Sequence, residues 1–354
     1  MKNRVNGKGE VMSNQVRKRY KLFVASLLSL VLMVAVAVAL TSCGESQQSQ
    51  GLEDVTLVLD WTPNTNHSGI YLAKEKGYYK DLGINLSIQQ PPEDGALPLV
   101  SEGKAQFGID YQEYTMSALE NGAKVLPVAT VLQHDTSMAL SLKEKNINSP
   151  KDLEGKTVLY ADGAMAIDKF SKLIKDDGGN PDTVKWVDTA CDDATACLMN
   201  KNVDAITDIY WGWEGLQTEL NGLDVNIIHP AKLDPMFDFY SPIMVVNQDF
   251  YNEHPQSYQK FMEATKKGYE EAAANPEEAA SILEKSVEGL KGDLVHKSQE
   301  YLSKEQLLDD SGVWGAIDSE RWNKISDSLF GYKILKDKPQ HFNFEKDFKV
   351  EVGS

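Results

Sequence analysis

The chain has 354 residues, with 36 Lys+Arg against 53 Asp+Glu and a formal charge of −17. That length holds one large or two medium domains, and that acidity disfavours nucleic acid and anionic lipid headgroups as partners. With neither a Cys/His cluster of zinc spacing nor a glycine-rich phosphate loop, no metal and no cofactor is expected. The N-terminus sets location. Lys2, Arg4, Lys8, Arg17, Lys18, Arg19 and Lys21 stand against one acid, Glu10, and an apolar run follows from Leu22 to Leu40. A basic n-region, an apolar core and a small-residue cleavage site make a secretory signal. The run is also long enough to span a bilayer as a permanent signal anchor.

Cys43 decides between the two. Leu40-Thr41-Ser42-Cys43 resembles the bacterial lipobox, in which the cysteine becomes the lipidated first residue after cleavage. Residues 1–42 are therefore expected to be removed, and the rest held through Cys43 on the extracytoplasmic face of the membrane. Met12 is an alternative start that keeps a basic n-region. Residues 43–51 are polar and low in complexity, as a tether would be. Cleavage removes seven bases and one acid, leaving 29 Lys+Arg against 52 Asp+Glu, a formal charge of −23. Two further cysteines, Cys191 and Cys197, fall in a stretch that reads as helical. Six residues along a helix separates their Cα atoms by roughly 9 Å, so two small buried residues are expected there rather than a bridge.

The elements alternate from the outset. A strand at Val55–Asp60 precedes a helix over about 68–82, then a strand at Asn85–Gln89, a helix near Pro98–Glu102 and a strand at Gln106–Asp110. Glu113–Asn121 reads as a helix and Val125–Leu132 as a strand. A polar lead-in at 151–156 opens a second such run: strand Thr157–Tyr160, helix Ala166–Asp176, strand Val184–Val187, helix Asp192–Lys201, strand Asp204–Asp208, helix Gly212–Leu220 and strand Val225–Ile228. After a strand at Ser241–Asn247 the chain is almost wholly helical. The pattern predicts an α/β fold of two lobes, each a mainly parallel sheet with helices on both faces. Lobe 1 would hold 52–140 and 242–354, and lobe 2 would hold 141–241. Crossings near Met138–Leu142 and Ser241–Asn247 would form a two-strand hinge, with the ligand in the cleft at the strands' carboxyl ends.

Three strand ends carry the recognition chemistry. After the first strand come Asp60, Trp61, Asn64, Asn66 and His67, one flat face among directional hydrogen-bonding groups. The same residues also read as turn and cap chemistry, with Asn66 as a helix N-cap. After the third strand stand Tyr111 and Glu113, the latter also explicable as an acid at a helix start. In the second lobe Asp208-Ile209-Tyr210-Trp211-Gly212-Trp213-Glu214 follows a strand. Tyr210, Trp211 and Glu214 are the candidates there, while at least one of the two tryptophans should pack lobe to lobe. Asp162-Gly163-Ala164, with Gly163 the ligand candidate, suits close backbone approach; Tyr240 lies near a crossing, in a segment that could equally be core. One absence matters as well. Beyond the signal the only arginine is Arg321, in the helical tail, whereas oxyanion sites favour arginine forks. Aromatics, amides and carboxylates suit a flat, neutral or weakly basic ring bearing N–H donors.

Leu59-Asp60-Trp61-Thr62-Pro63-Asn64-Thr65-Asn66-His67, Ala73–Tyr79, Gly103–Ile109, Leu153–Lys156 and Asn247–Phe250 together resemble the family that joins bacterial pyrimidine-precursor binding proteins and fungal thiamine-pyrimidine synthases. The Trp-x-Pro-x-x-x-His segment is its most specific part; the later matches are shared by many type II periplasmic binding proteins. The bacterial branch implies a binding lipoprotein that presents a formylaminopyrimidine or hydroxymethylpyrimidine to the membrane permease of an ABC importer. Relatives of that fold that take riboflavin keep other flat heteroaromatics open. The fungal branch implies a single-turnover enzyme that builds the pyrimidine from pyridoxal phosphate and its own histidine, with iron. His67 matches that histidine, but the enzymes' cysteine-rich pentad aligns with Met236-Phe237-Asp238-Phe239-Tyr240, which has no cysteine. A monomeric binding protein rather than an enzyme is therefore expected.

Overall fold

The computed structural model describes residues 51–160, 163–188 and 194–347. The signal segment, Cys43, Asp162 and Cys191 lie outside the described residues. Ten strands occur among those described: β1 Glu53–Val58, β2 Ile84–Gln89, β3 Phe107–Asp110, β4 Val125–Thr130, β5 Ser137–Leu142, β6 Thr157–Tyr160, β7 Lys185–Val187, β8 Ala205–Tyr210, β9 Val225–Ile228 and β10 Ile243–Asn247. They build two five-stranded sheets, ordered β2-β1-β3-β10-β4 and β7-β6-β8-β5-β9.

Each sheet follows one plan. Three adjacent strands run parallel, β2-β1-β3 in one and β7-β6-β8 in the other, as the α/β alternation predicts. The fourth strand in each order is antiparallel to both its neighbours: β10 between β3 and β4, and β5 between β8 and β9. Four of the five strands in each sheet therefore share one direction, so each sheet is mainly parallel as expected and is mixed through its single reversed strand. These antiparallel strands are the ones the chain enters on crossing, since it leaves the first sheet after Thr130, enters the second at Ser137, and re-enters the first at Ile243. The segment expected as a crossing at Met138–Leu142 is an interior strand, and the passage lies just before it.

Helices cover the sheets, and we label those that matter to the site α1 Ser68–Glu75, α2 Gln112–Glu120, α3 Gly163–Asp176, α4 Ala194–Met199, α5 Pro255–Ala274, α6 Asp293–Glu305 and α7 Ser319–Gly331. The helix expected over 68–82 stops at Glu75, because Gly77 takes the left-handed conformation at φ 82° and a short turn, Tyr78–Asp81, follows. Cys197 is disulfide-bonded, which corrects the expectation of a small buried thiol. The long α5 lies on α1 through two glycines. A Cβ on Gly268 would stand 2.2 Å from the Gly69 carbonyl oxygen, and one on Gly69 2.3 Å from Tyr269 Cγ. Tyr269 secures the crossing by donating to the Asn66 carbonyl at 2.8 Å and stacking on Trp314 at 4.5 Å.

Candidate ligand-binding site

The loop after β1 folds on itself. Asn64 caps the short turn Thr65–His67, its side chain accepting from the Asn66 N–H at 2.8 Å, so the cap is Asn64 rather than Asn66. In return His67 Nδ1 accepts from the Asn64 N–H at 3.1 Å. That bond places the ring proton on Nε2, which donates to Asp60 Oδ1 at 2.6 Å. The Tyr111 hydroxyl, at the end of β3, donates to the other Asp60 oxygen at 3.0 Å. Burial raises the Asp60 pKa, but the His67 ring and the Tyr111 hydroxyl outweigh it and hold the carboxyl below its ordinary value. His67 is fully buried with both nitrogens engaged, so it positions Asp60 and cannot itself meet a ligand in this arrangement. Trp61, by contrast, is 64% exposed at the tip of the loop.

The second lobe answers at the end of β8. Tyr210 lies nearly parallel to Tyr111, with ring centroids 6.2 Å apart and planes at 11°. One aromatic face from each sheet therefore meets its counterpart between the lobes. The turn that follows, Trp211–Gly215, is π-helical, and Glu214 reaches back to accept from the Tyr210 N–H at 3.0 Å. Trp211 packs against the second sheet's own core and edge-on to His229, so Tyr210 alone of the expected pair offers a stacking face. Trp213 packs with Tyr71 against Ala280, Leu283 and Val295, as expected of at least one tryptophan.

Ser298 on α6, which the sequence did not single out, joins the two loops. Its hydroxyl donates to the Gly212 carbonyl and accepts from Thr65 Oγ1 at 2.6 Å, entirely buried. Glu113 is buried in the first turn of α2, and Gly163 opens α3. Tyr240 is displaced from the site. It is 2% exposed, its hydroxyl accepts from the Asp318 N–H at 2.9 Å, the Arg321 guanidinium lies 4.1 Å over its ring, and Trp322 stacks alongside. With ring and hydroxyl both engaged it belongs to the core. Arg321 itself is far from any oxyanion role. On α7, it donates to the carbonyls of Gln133 at 2.9 Å and Asp238 at 2.7 Å and pairs with the Asp238 carboxylate at 3.1 Å, clasping both passages between the sheets.

A family model described as NMT1/THI5 like matches residues 64–279. Among curated relatives, a formylaminopyrimidine-binding protein of Halalkalibacterium halodurans is 26% identical over 88% of this chain and 94% of its own. A 4-amino-5-hydroxymethyl-2-methylpyrimidine phosphate synthase of Saccharomyces cerevisiae is 27% identical over 64% of this chain and 69% of its own. Among solved structures, the periplasmic aliphatic sulphonate binding protein of Escherichia coli superposes with a TM-score of 0.61 at 14% identity, over 81% of this chain and 95% of that one. At that identity the last likeness concerns the fold alone, that of a two-lobed periplasmic binding protein.

Proposed function

Because this chain belongs to the NMT1/THI5-like family, we propose that it is a solute-binding lipoprotein that captures a pyrimidine precursor of thiamine, of the formylaminopyrimidine or hydroxymethylpyrimidine type, for an ABC importer. The observation that carries the reading is the parallel Tyr111–Tyr210 pair, one ring from each sheet, beside the carboxylates of Asp60 and Glu214. Such a cleft stacks a flat ring and accepts its N–H groups, and it places no arginine where a phosphate would sit. The yeast relative favours a second reading, synthesis of the phosphorylated pyrimidine. Against it stand the sealed position of His67 and the absence of cysteine from 236–240.

Calorimetry with 4-amino-5-hydroxymethyl-2-methylpyrimidine tests the reading. The wild type should bind it, and Tyr210→Ala should bind about tenfold more weakly through lost stacking and burial. Trp61→Ala should weaken the amino ring and riboflavin alike. A wild type silent toward the pyrimidine, or a Tyr210→Ala variant indistinguishable from it, refutes the assignment. Anchoring through Cys43 has its own check. Cys43→Ala should release the protein from membranes into the soluble extracellular fraction, and retention would favour a signal anchor instead.

A further inference from the structure

Near the tyrosine pair lies a small cavity of about 10 Å³, lined by Glu113, Tyr114, Lys169 and Asp208 with an apolar wall that includes Ala166 and Phe237. Its lining residue Tyr114 stands edge-on to Tyr111 of the pair, with centroids 6.1 Å apart. A cavity that small holds a single heavy atom, such as one water oxygen or one amino nitrogen. Lys169 forms its charged side. Its ammonium is buried, pairs with Asp208 Oδ1 and donates to Ser137 Oγ at 3.1 Å. Three carboxylates face it from three elements: Asp208 at the end of β8, Asp135 in the passage before β5, and Glu113 in the first turn of α2. Burial works against the ammonium, but those three acids outweigh it and keep Lys169 charged.

Asp208 is the unusual member. It sits at φ 54° inside a strand, a conformation that non-glycine residues rarely adopt, at the point where the pairing of β8 with β5 is irregular. Its Oδ1 is held by Lys169. Its Oδ2 is buried with its residue, which is 5% exposed, and accepts no hydrogen bond from any group among the described residues. A buried acceptor left unmet costs about 1–3 kcal/mol, and the strained backbone holds this one at the cavity wall.

Resting on the pyrimidine reading, we propose that Asp208, fixed by Lys169, is the specificity-determining acceptor for one N–H donor of the ligand, an exocyclic amine seated in this cavity. The site then distinguishes an amino ring from the same ring bearing a carbonyl oxygen, whose lone pairs would face a carboxylate with no proton between them.

The probes are 4-amino-5-hydroxymethyl-2-methylpyrimidine and its 4-oxo counterpart, measured by calorimetry on the full mature protein. The wild type should prefer the amino ring by about thirtyfold or more, the scale expected of a buried polar group left unpaired. Asp208→Asn, which tolerates the left-handed backbone and can donate as well as accept, should bring the two affinities within about threefold. Equal binding of both rings by the wild type overturns the proposal without any variant, and so does an Asp208→Asn protein that keeps the preference. Binding of neither ring by the wild type would overturn the pyrimidine reading itself, a separate outcome.

Discussion

Lys169→Met should cost the fold about 3–5 kcal/mol, the penalty typical of removing one partner from a buried ion pair. The substitution fills similar volume, so the loss is electrostatic rather than a cavity effect. It leaves Asp208, Asp135 and Glu113 around one small space with no compensating charge. At about 2–4 °C per kcal/mol for chains of comparable size, the melting temperature should fall by roughly 6–20 °C. The pH dependence carries the diagnosis. In the wild type burial already raises the Asp135 carboxyl despite Lys169. Without the ammonium that burial is unopposed, so its folded pKa stands further above the unfolded one. The penalty is then largest at neutral pH and fades as pH falls and the carboxyl takes up its proton. The gap between variant and wild type should therefore narrow on acidification, and Lys169→Met/Asp208→Asn should recover part of the loss at pH 7. A deficit independent of pH would show that packing, not charge, was lost.

Gly268→Ala should be nearly as damaging, at about 3 kcal/mol. The added methyl would meet the Gly69 carbonyl oxygen at 2.2 Å and Ala73 Cβ at 2.7 Å. Backbone cannot rotate aside as a flexible side chain can, so α1 and α5 must separate, and overpacking of this kind falls at the upper end of its usual 1–3 kcal/mol range. Because α1 begins directly after the His67 turn, the shift should also carry the loop after β1 with it and reduce ligand affinity. Gly331→Ala, with nothing within 4 Å of the new Cβ, is the control and should leave urea unfolding unchanged. A Gly268→Ala midpoint within error of the wild type would mean that the two helices have more freedom than their contact implies.

Much of this architecture is legible in the residues. The strand that ends at the Asp60 loop, the α/β alternation and the helical tail all follow from period-2 and period-3.6 patterns that burial enforces. Tyr111 and Tyr210 were accessible through the rule that ligands gather at strand ends. What escaped depends on partners distant in sequence. Nothing local marks Ser298 as the bridge between Thr65 and Gly212, since it is one serine on an amphipathic helix. Arg321 is conspicuous by scarcity, yet only the folded passages show that it serves them rather than a ligand. His67 and Tyr240 have the chemistry of ligand contacts, and only their surroundings reveal that every polar group is already engaged. Asp208 was visible as an acid among aromatics, but its strained backbone has no sequence signature.

The way each sheet is completed also sets an order of assembly for a chain that emerges N-terminus first. All five strands of the second sheet lie within residues 137–228, so its ladder can close as soon as that stretch is available. The first sheet cannot. Among the described strands β4 pairs only with β10, and β3 keeps an open edge until β10 arrives more than a hundred residues later. During that interval β3 and β4 present unpaired backbone and buried-type side chains, the kind of edge that invites aggregation. The half of the protein made first is therefore the half finished last, and a chaperone acting on the nascent chain would find its work at the gap between β3 and β4.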